Sequence, residues 1–233
     1  MPTTPNVSFV TRYRPLPLTE TRHPTMTPTT KIALATTFAT ALVLPFAAVQ
    51  ADGHAEVDLG AVPSGDYAND PTHSYVTFSY NHLGLSEPVL AFDEFTIDMT
   101  LDNEDVANSS IAVTIDPASV VAGSDIWKEH LTGADFFDVA NHPEVTFQST
   151  AVSAGGDGAY KVDGDLTIKG ESRPVTLSVT VNAAMNHPMS GDPVVGITGS
   201  ADVLRSDFGM GKFAPNVSDE VAIAFTAEMV KSK

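Results

Sequence analysis

The chain has 233 residues, of which 29 are acidic and 12 are basic, and its formal net charge is −17 at pH 7. A surface this acidic repels nucleic-acid phosphates and anionic lipid headgroups, so we expect neither as a partner. The sequence contains no cysteine, which excludes disulfides, thiol chemistry and a lipidated N-terminal cysteine. The stability of the fold must therefore come from an apolar core.

The N-terminus has the pattern of an export signal. An apolar, alanine-rich run covers residues 32–49, and the small residues Val49 and Ala51 suit the −3 and −1 positions of a signal-peptidase site. We therefore expect residues 1–51 to be leader and signal peptide, with translation from Met26 as an alternative start, cleavage near Ala51 and a periplasmic location. An uncleaved membrane anchor is the alternative. Cleavage removes four basic residues and one acidic residue, which brings the net charge to −20.

The next segment, residues 52–64, is polar and contains glycine, and we expect a flexible lead-in to a domain over residues 65–233. In that domain apolar and polar residues alternate with a period of two, which predicts strands with one apolar face. Turn residues separate successive runs. The predicted strands cover residues 66–68, 75–80, 92–101, 109–115, 144–152, 159–169, 174–181, 194–203 and 221–230.

One segment interrupts this pattern and predicts a short helix over residues 124–131. Ser124 suits the N-cap and Asp125 suits the first turn, where an acidic side chain is favourable. Four residues share one face at helical spacing. They are Ile126, Trp127, His130 and Leu131. We expect this helix to lie over one end of the sheet structure.

The spacing of the strands predicts the fold class. About eight strands follow one another at hairpin spacing with no alternating helices, which favours an all-β, antiparallel barrel or sandwich. Asp98, Lys161 and Asp163 lie on the polar faces, where an outer-membrane barrel would contact lipid. We therefore expect no stable membrane insertion.

The sequence carries no motif of known chemistry. Its seven histidines form no His-x-His or His-x-x-x-His pair, and we predict no metal site. No G-x-S-x-G motif is present, so we predict no catalytic residues and no enzyme. Paired carboxylates drawn from Asp135, Asp138 and Asp207 remain a weak alternative, since so acidic a chain forms such pairs by chance. His82 and His130 are the histidines kept as candidates for a polar role.

The aromatic residues raise the question of what fills the interior. A barrel of about eight strands either fills with side chains or holds one small ligand. Gly164, Gly196 and Gly199 lie within strands, where they leave room inside the barrel or mark a bulge. The aromatic residues in strands and near strand ends are Phe78, Tyr80, Phe92, Phe95, Trp127, Phe136, Phe137, Phe147, Phe208 and Phe213.

Four segments, in order along the chain, resemble the YceI-like family of exported isoprenoid-binding proteins. The first is Asp70-Pro71-Thr72-His73-Ser74-x-Val76-x-Phe78, running on to His82-Leu83-Gly84. The second is His130-Leu131 followed by Asp135-Phe136-Phe137-Asp138. The third is Pro143-x-Val145-x-Phe147-x-Ser149-Thr150, leading to Gly164-x-Leu166-Thr167-Ile168. The fourth is Arg205-Ser206-Asp207-Phe208-Gly209-Met210. The chain departs from the family just before His130, where members often carry Arg-Asp and this sequence has Lys128-Glu129. The preceding Trp127 is a candidate cap for a cavity.

The resemblance implies a lipocalin-like antiparallel barrel of about eight strands with an elongated apolar cavity. It also implies a bound polyisoprenoid or similar long-chain amphiphile, no other cofactor, and carriage or sequestration without catalysis. The scarcity of basic residues predicts a neutral head, such as a quinone, amide or alcohol. The expected walls and rim of the cavity are Val76, Phe78, Tyr80, His82, Leu83, Phe95, Ile97, Trp127, His130, Leu131, Phe136, Phe137, Phe147, Leu166, Ile168, Phe208 and Met210.

Two other functions stay open at this stage. The first is an exported enzyme that acts at the cavity mouth through His82 or His130. The second is a filled barrel that serves as a stress-related interaction module. The sequence also leaves open whether two barrels pair as a homodimer.

Overall fold

A computed structural model describes residues 57–156 and 158–233. The expected signal peptide, the cleavage site near Ala51, the start at Met26 and the first residues of the lead-in lie outside the described residues. Among the described residues, no helix is both long enough and apolar enough to cross a membrane.

The described part of the chain forms eleven strands and one α-helix. Their bounds are β1 Gly65–Asn69, β2 Tyr75–His82, β3 Val89–Phe92, β4 Phe95–Leu101, β5 Ser110–Ile115, β6 Val120–Val121, α1 Asp125–Thr132, β7 Val145–Gly156, β8 Ala159–Ile168, β9 Glu171–Asn186, β10 Pro193–Leu204 and β11 Val217–Lys231.

Eight of these strands close a ring. Their order is β1-β4-β5-β7-β8-β9-β10-β11, and β11 pairs back with β1, every pairing being antiparallel. The alternation of apolar and polar residues gives the barrel wall a buried inner face and an exposed outer face. In β8, the buried residues are Val162, Leu166 and Ile168, whereas Lys161 and Asp163 are exposed. The predicted all-β, lipocalin-like barrel with one short helix is confirmed.

The remaining three strands form a branch that the sequence does not predict. The C-terminal part of β11, residues 229–231, pairs with β1, whereas residues 221–226 pair with β2. β2 in turn pairs with β3, and β3 with the two-residue strand β6. At one end of the barrel, three strands therefore take the place that β1 occupies at the other end. We call this end the branched end.

The lead-in differs from its prediction over the residues that the structure describes. Residues Leu59–Ala61 form a 3-10 turn, in which the Asp58 carboxylate accepts a hydrogen bond from the Gly60 amide at 2.9 Å. Leu59 and Val62 are buried in the core, although the sequence predicts flexibility as far as Ser64. The reason is that two apolar side chains in a polar segment suffice to pack the turn against the barrel.

The helix begins as predicted but turns a narrower face inward. The Ser124 hydroxyl accepts a hydrogen bond from the Trp127 amide at 3.3 Å, as expected of an N-cap. Leu131 is buried and Trp127 is half-buried, whereas Ile126 and His130 are exposed. The helix therefore packs along the single i, i+4 line of Trp127 and Leu131.

The turn between β1 and β2 contains a charged pair. The His73 Nδ1 atom lies 2.8 Å from an Asp70 carboxylate oxygen and 4.0 Å from a Glu228 carboxylate oxygen. Hydrogen bonding from His73 and then from Thr72 lowers the pKa of Asp70 to about 2. The hydrogen bond to Asp70, followed by the charge of Glu228, raises the pKa of His73.

We expect Asp70→Asn to lower the pKa of His73 toward the ordinary histidine value, because it removes the larger of the two causes that raise it. In the wild type, the raised pKa keeps His73 mostly charged up to its ordinary value of about 6.5, and the lowered pKa keeps Asp70 ionised down to below its ordinary value of about 3.9. The pair therefore stabilises the turn most between those values, and the stabilisation is lost as the pH rises through the raised pKa of His73 or falls toward 2. An NMR titration of the His73 ring measures the shift.

Glu228→Gln is the matched control for this titration. Its carboxylate lies farther from His73, and we expect a smaller fall in the pKa of that ring. A His73 titration that Asp70→Asn leaves unchanged would contradict the ion pair.

Candidate functional site

A cavity of about 500 Å³ lies inside the branched end of the barrel. Its walls include residues of β2, β3 and the first half of β11, but no residue of β1. Its volume falls within the range of about 300–1,000 Å³ that is usual for ligand pockets. The lining residues are Val76, Thr77, Phe78, Tyr80, His82, Leu83, Phe92, Ile97, Val113, Ile115, Trp127, Leu131, Phe136, Phe137, Val145, Phe147, Leu166, Ile168, Val175, Leu177, Val203, Arg205, Met210, Phe213, Asn216, Val217, Val221, Ile223 and Phe225.

Glycines allow two aromatic rings to lie flat along the wall of the cavity. A Cβ atom on Gly199 would lie 2.2 Å from Cζ of Phe225, its direct cross-strand partner. A Cβ atom on Gly164 would lie 2.4 Å from Cζ of Phe147. Each of these two glycines thus leaves the space that one aromatic ring occupies. At Gly196 a Cβ atom would meet nothing closer than 3.7 Å.

The cavity mouth lies between the turn after β2 and the segment before β11. Leu83 and Phe213 line the cavity, yet they are 52% and 54% exposed. The Leu83 amide donates a hydrogen bond to the Asn216 carbonyl at 3.1 Å and joins the two segments. Lys212 forms an ion pair with Asp135, which joins the second segment to the chain that follows the helix.

Aromatic rings line the interior and the rim in two groups. Inside, the ring centroids of Phe78, Phe92 and Phe137 lie 5.3–6.1 Å apart. At the rim, Phe136 lies 6.0 Å from Trp127 and 6.5 Å from Phe213. Such spacings are typical of favourable aromatic pairs, which hold the rim in place.

Fourteen of the seventeen predicted site residues line the cavity, and three do not. Phe95, the first residue of β4, is half-buried against the core. His130 is exposed on the flank of the helix, 6.0 Å from the Trp127 ring. Phe208 is buried in the 3-10 turn Arg205–Phe208, outside the lining.

Arg205 is the only charged residue among the fifteen described lining residues that the sequence analysis did not assign to the cavity. It is only 6% exposed, and its guanidinium donates to backbone carbonyls rather than to a carboxylate. Nε bonds Ser218 at 2.8 Å, Nη2 bonds Val217 at 3.0 Å, and Nη1 bonds Lys212 at 2.8 Å and also Met210. Among the described residues, no carboxylate lies within 4.0 Å of it, and burial lowers its pKa. A signal was present in the sequence, since Arg205 begins the fourth motif.

Tyr80 is the second polar residue of interest in the cavity wall. Burial raises the pKa of its phenol, whereas hydrogen bonding from Trp127 and the charge of Arg205 lower that pKa. Among the described residues the Tyr80 hydroxyl donates to no acceptor, so its hydrogen remains available.

One group of residues in the described part of the chain has the spacing of a metal site. The candidate ligand atoms of Asp70, His73 and Glu228 lie within 4.8 Å of one another. None of the three lines the cavity, and the hydrogen bond within the cluster already accounts for the geometry. This cluster has no bearing on the chemistry of the cavity.

The opposite end of the barrel holds a second, smaller cavity of about 70 Å³. Its lining includes Leu59 from the buried N-terminal turn, together with Leu101, Val181 and Val195. The side chain of Leu59 thus lies at this end, away from the mouth formed by Leu83 and Phe213.

Comparisons with known proteins agree with the four motifs. The family model of the YceI-like domain matches residues 67–229. A UPF0312 protein of Pseudomonas paraeruginosa is 32% identical over 181 residues, which cover 77% of this chain and 94% of that protein. The crystal structure of Burkholderia cenocepacia BcnA superposes with a TM-score of 0.62 at 32% identity, over 70% of this chain and 99% of that chain.

A more distant structure shows the same fold. A polyisoprenoid-binding domain from Saccharophagus degradans, implicated in plant cell wall breakdown, superposes with a TM-score of 0.57 at 13% identity. The superposition covers 73% of this chain and all of that domain. The family model spans the barrel from β1 to β11, including every residue that lines the cavity. This chain therefore belongs to the YceI-like family.

Proposed function

We propose that this protein binds one long-chain, largely apolar amphiphile of the polyisoprenoid class and carries or sequesters it in the periplasm without converting it. The observation that carries this proposal is the cavity of about 500 Å³, whose lining is apolar apart from a few side chains. The shared fold with a domain described as polyisoprenoid-binding supports the same ligand class. The export pattern before Ala51 supports the location.

The energetics favour a partly enclosed isoprenoid tail. A buried CH₂ group contributes roughly 0.8 kcal/mol, so one five-carbon unit contributes on the order of 3–4 kcal/mol. Eight fully enclosed units would exceed the ceiling of about 18–21 kcal/mol for non-covalent binding. Ordering a flexible tail also opposes binding. A few enclosed units therefore suffice for tight binding, and a longer tail extends through the mouth.

The charges in the cavity support a neutral head. Arg205 is the only lysine or arginine among the described lining residues, and four of its N–H groups already bind carbonyls. Lys212, at the mouth, is paired with Asp135. A pyrophosphate would require several free cationic groups. A carbonyl or hydroxyl head requires none.

The alternatives have less support. A filled barrel would leave no cavity of this size. For an enzyme that acted through His82 or His130, the support is weaker: His130 is exposed outside the lining, and His82 has no acidic side chain to pair with in the described lining. Carriage requires only the enclosed apolar volume.

We expect Ile223→Trp to weaken binding of geranylgeraniol, a C20 polyisoprenoid alcohol, by at least about tenfold. Ile223 lines the cavity from β11, and an indole there would occupy the space of the tail. Tenfold corresponds to about 1.4 kcal/mol, less than the burial of two CH₂ groups. Native mass spectrometry of the delipidated protein measures the occupancy.

Ala222→Trp is the matched control, since it adds the same side chain to the next residue, which is exposed on the outer face. We expect it to bind as the wild type does. Equal binding by Ile223→Trp and the wild type would place the ligand outside the cavity and overturn the proposal. Recovery of the alcohol unaltered supports carriage, whereas its conversion to a product would overturn it.

A further inference from the structure

Two polar side chains in the cavity wall carry hydrogen-bond donors that have no acceptor among the described residues. The five N–H groups of Arg205 point in fixed directions, and four of them bind the carbonyls of Met210, Lys212, Val217 and Ser218. The fifth, on Nη2, has no acceptor among the described residues. Arg205 itself lines the cavity.

Tyr80, which lies on β2, is the second of these two side chains. Among the described residues its hydroxyl donates to no acceptor, so its hydrogen is free to donate to a ligand. Tyr80 and Arg205 both line the cavity, and Ser218 lies next to both. Its carbonyl accepts from Arg205 Nε at 2.8 Å, and its hydroxyl oxygen accepts at 2.9 Å from the amide of Asn81, the residue after Tyr80. The lining also includes the apolar residues Phe78, Val203 and Met210 and the polar side chains of His82 and Asn216.

We infer that the Tyr80 hydroxyl and the free Arg205 N–H bind one acceptor oxygen, a neutral carbonyl, in the head of the ligand. The inference rests on the proposed function and specifies the head of the same ligand. A buried donor that finds no acceptor is unfavourable, so a bare hydrocarbon leaves both donors unsatisfied. A carbonyl oxygen has two lone pairs and can accept from both.

The arrangement also distinguishes a carbonyl from other heads. A hydroxyl head can accept as well, but its own hydrogen then needs an acceptor, and the described lining offers neutral side chains such as Asn216 and no carboxylate. A diphosphate carries more negative charge than one guanidinium can neutralise. An ester, quinone or ketone oxygen satisfies both donors and brings no new donor.

The test compares three C20 isoprenoid probes: methyl geranylgeranoate, geranylgeranoic acid and the hydrocarbon with the same skeleton. We expect the wild type to bind the ester about three- to tenfold more tightly than the hydrocarbon, as one or two neutral hydrogen bonds allow. Tyr80→Phe keeps the ring and removes the donor. It should weaken ester binding about threefold and leave hydrocarbon binding unchanged.

Tyr75→Phe is the matched control, because Tyr75 lies on the same strand but is 58% exposed. We expect it to bind all three probes as the wild type does. Hydrocarbon binding with no preference for the ester, or an ester preference that survives Tyr80→Phe, would overturn the carbonyl anchor and leave the proposed function standing. Acid binding more than about tenfold tighter than ester binding would overturn the neutral head. No binding of any probe would overturn the proposed function together with this inference.

Discussion

Arg205→Met is expected to lower the free energy of unfolding by about 3 kcal/mol, because several buried carbonyls lose their donor at once. The guanidinium joins Met210 and Lys212 on one side to Val217 and Ser218 on the other. Methionine fills similar space without any donor. For a domain of this size, the loss corresponds to a fall of roughly 6–12 °C in the melting temperature. Urea and thermal unfolding measure the two quantities.

The control is Arg173→Met, which makes the same change on the surface. The Arg173 side chain is 42% exposed and pairs with Glu171 at 3.1 Å. Exposed ion pairs contribute little, so we expect a change within about 0.5 kcal/mol. Arg205→Lys should fall between Arg205→Met and the wild type, because an ammonium cannot reach carbonyls on both sides of the guanidinium plane. Equal stability of Arg205→Met and the wild type would show that water satisfies these carbonyls.

The long strands of the barrel could be predicted from the sequence because each carries its own alternation, whereas the choice of a closed barrel over a sandwich came from the resemblance to the family. The branch of β2, β3 and β6 could not be predicted. β3 and β6 are short, and β2 pairs with β11, which lies far away in sequence. Residues 92–101 predict one strand, but the structure interrupts it at Asp93 and Glu94, whose amides bind Ser119. β6 has two residues, too few for any period to be read.

The residues of the candidate site were likewise predictable only in part. Inward residues such as Val76, Ile97 and Leu166 follow from the period of two, and the order of the motifs places them in one barrel. Arg205 could not be assigned to the cavity, because its contacts depend on how a turn folds back on β11. His130 is exposed outside the lining, and the sequence does not show this, because helical spacing alone does not reveal how wide a face of the helix the barrel covers.

Gly164→Ala is expected to lower the free energy of unfolding by about 2–3 kcal/mol, near the upper end of the usual cost of overpacking. A Cβ atom there would lie 2.4 Å from the Phe147 ring and 2.5 Å from the Gln148 carbonyl oxygen. The ring can move only toward the cavity, and the carbonyl belongs to the backbone of the neighbouring strand β7. We therefore also expect weaker binding of geranylgeraniol. Urea unfolding and native mass spectrometry measure the two effects.

Gly196→Ala separates this packing effect from the flexibility of glycine itself. Both substitutions reduce the freedom of the unfolded chain equally, which alone would stabilise the protein by about 0.4–1 kcal/mol. The Gly196 position has room for a methyl group, with its nearest neighbour at 3.7 Å. We therefore expect Gly196→Ala to be neutral or stabilising. A similar loss at both positions would mean that backbone conformation, rather than the ring, requires glycine.

A second substitution identifies which contact is responsible. At Gly164 the added methyl group meets both a ring and a backbone oxygen, so Phe147→Leu should restore only part of the stability that Gly164→Ala removes. At Gly199 the three nearest atoms all belong to the Phe225 ring, so Phe225→Leu should relieve Gly199→Ala more completely. Unequal rescue at the two positions would show that each glycine accommodates a ring, and that β7 and β8 also approach closely at Gly164. The open volume of the cavity then depends on glycines that never contact the ligand.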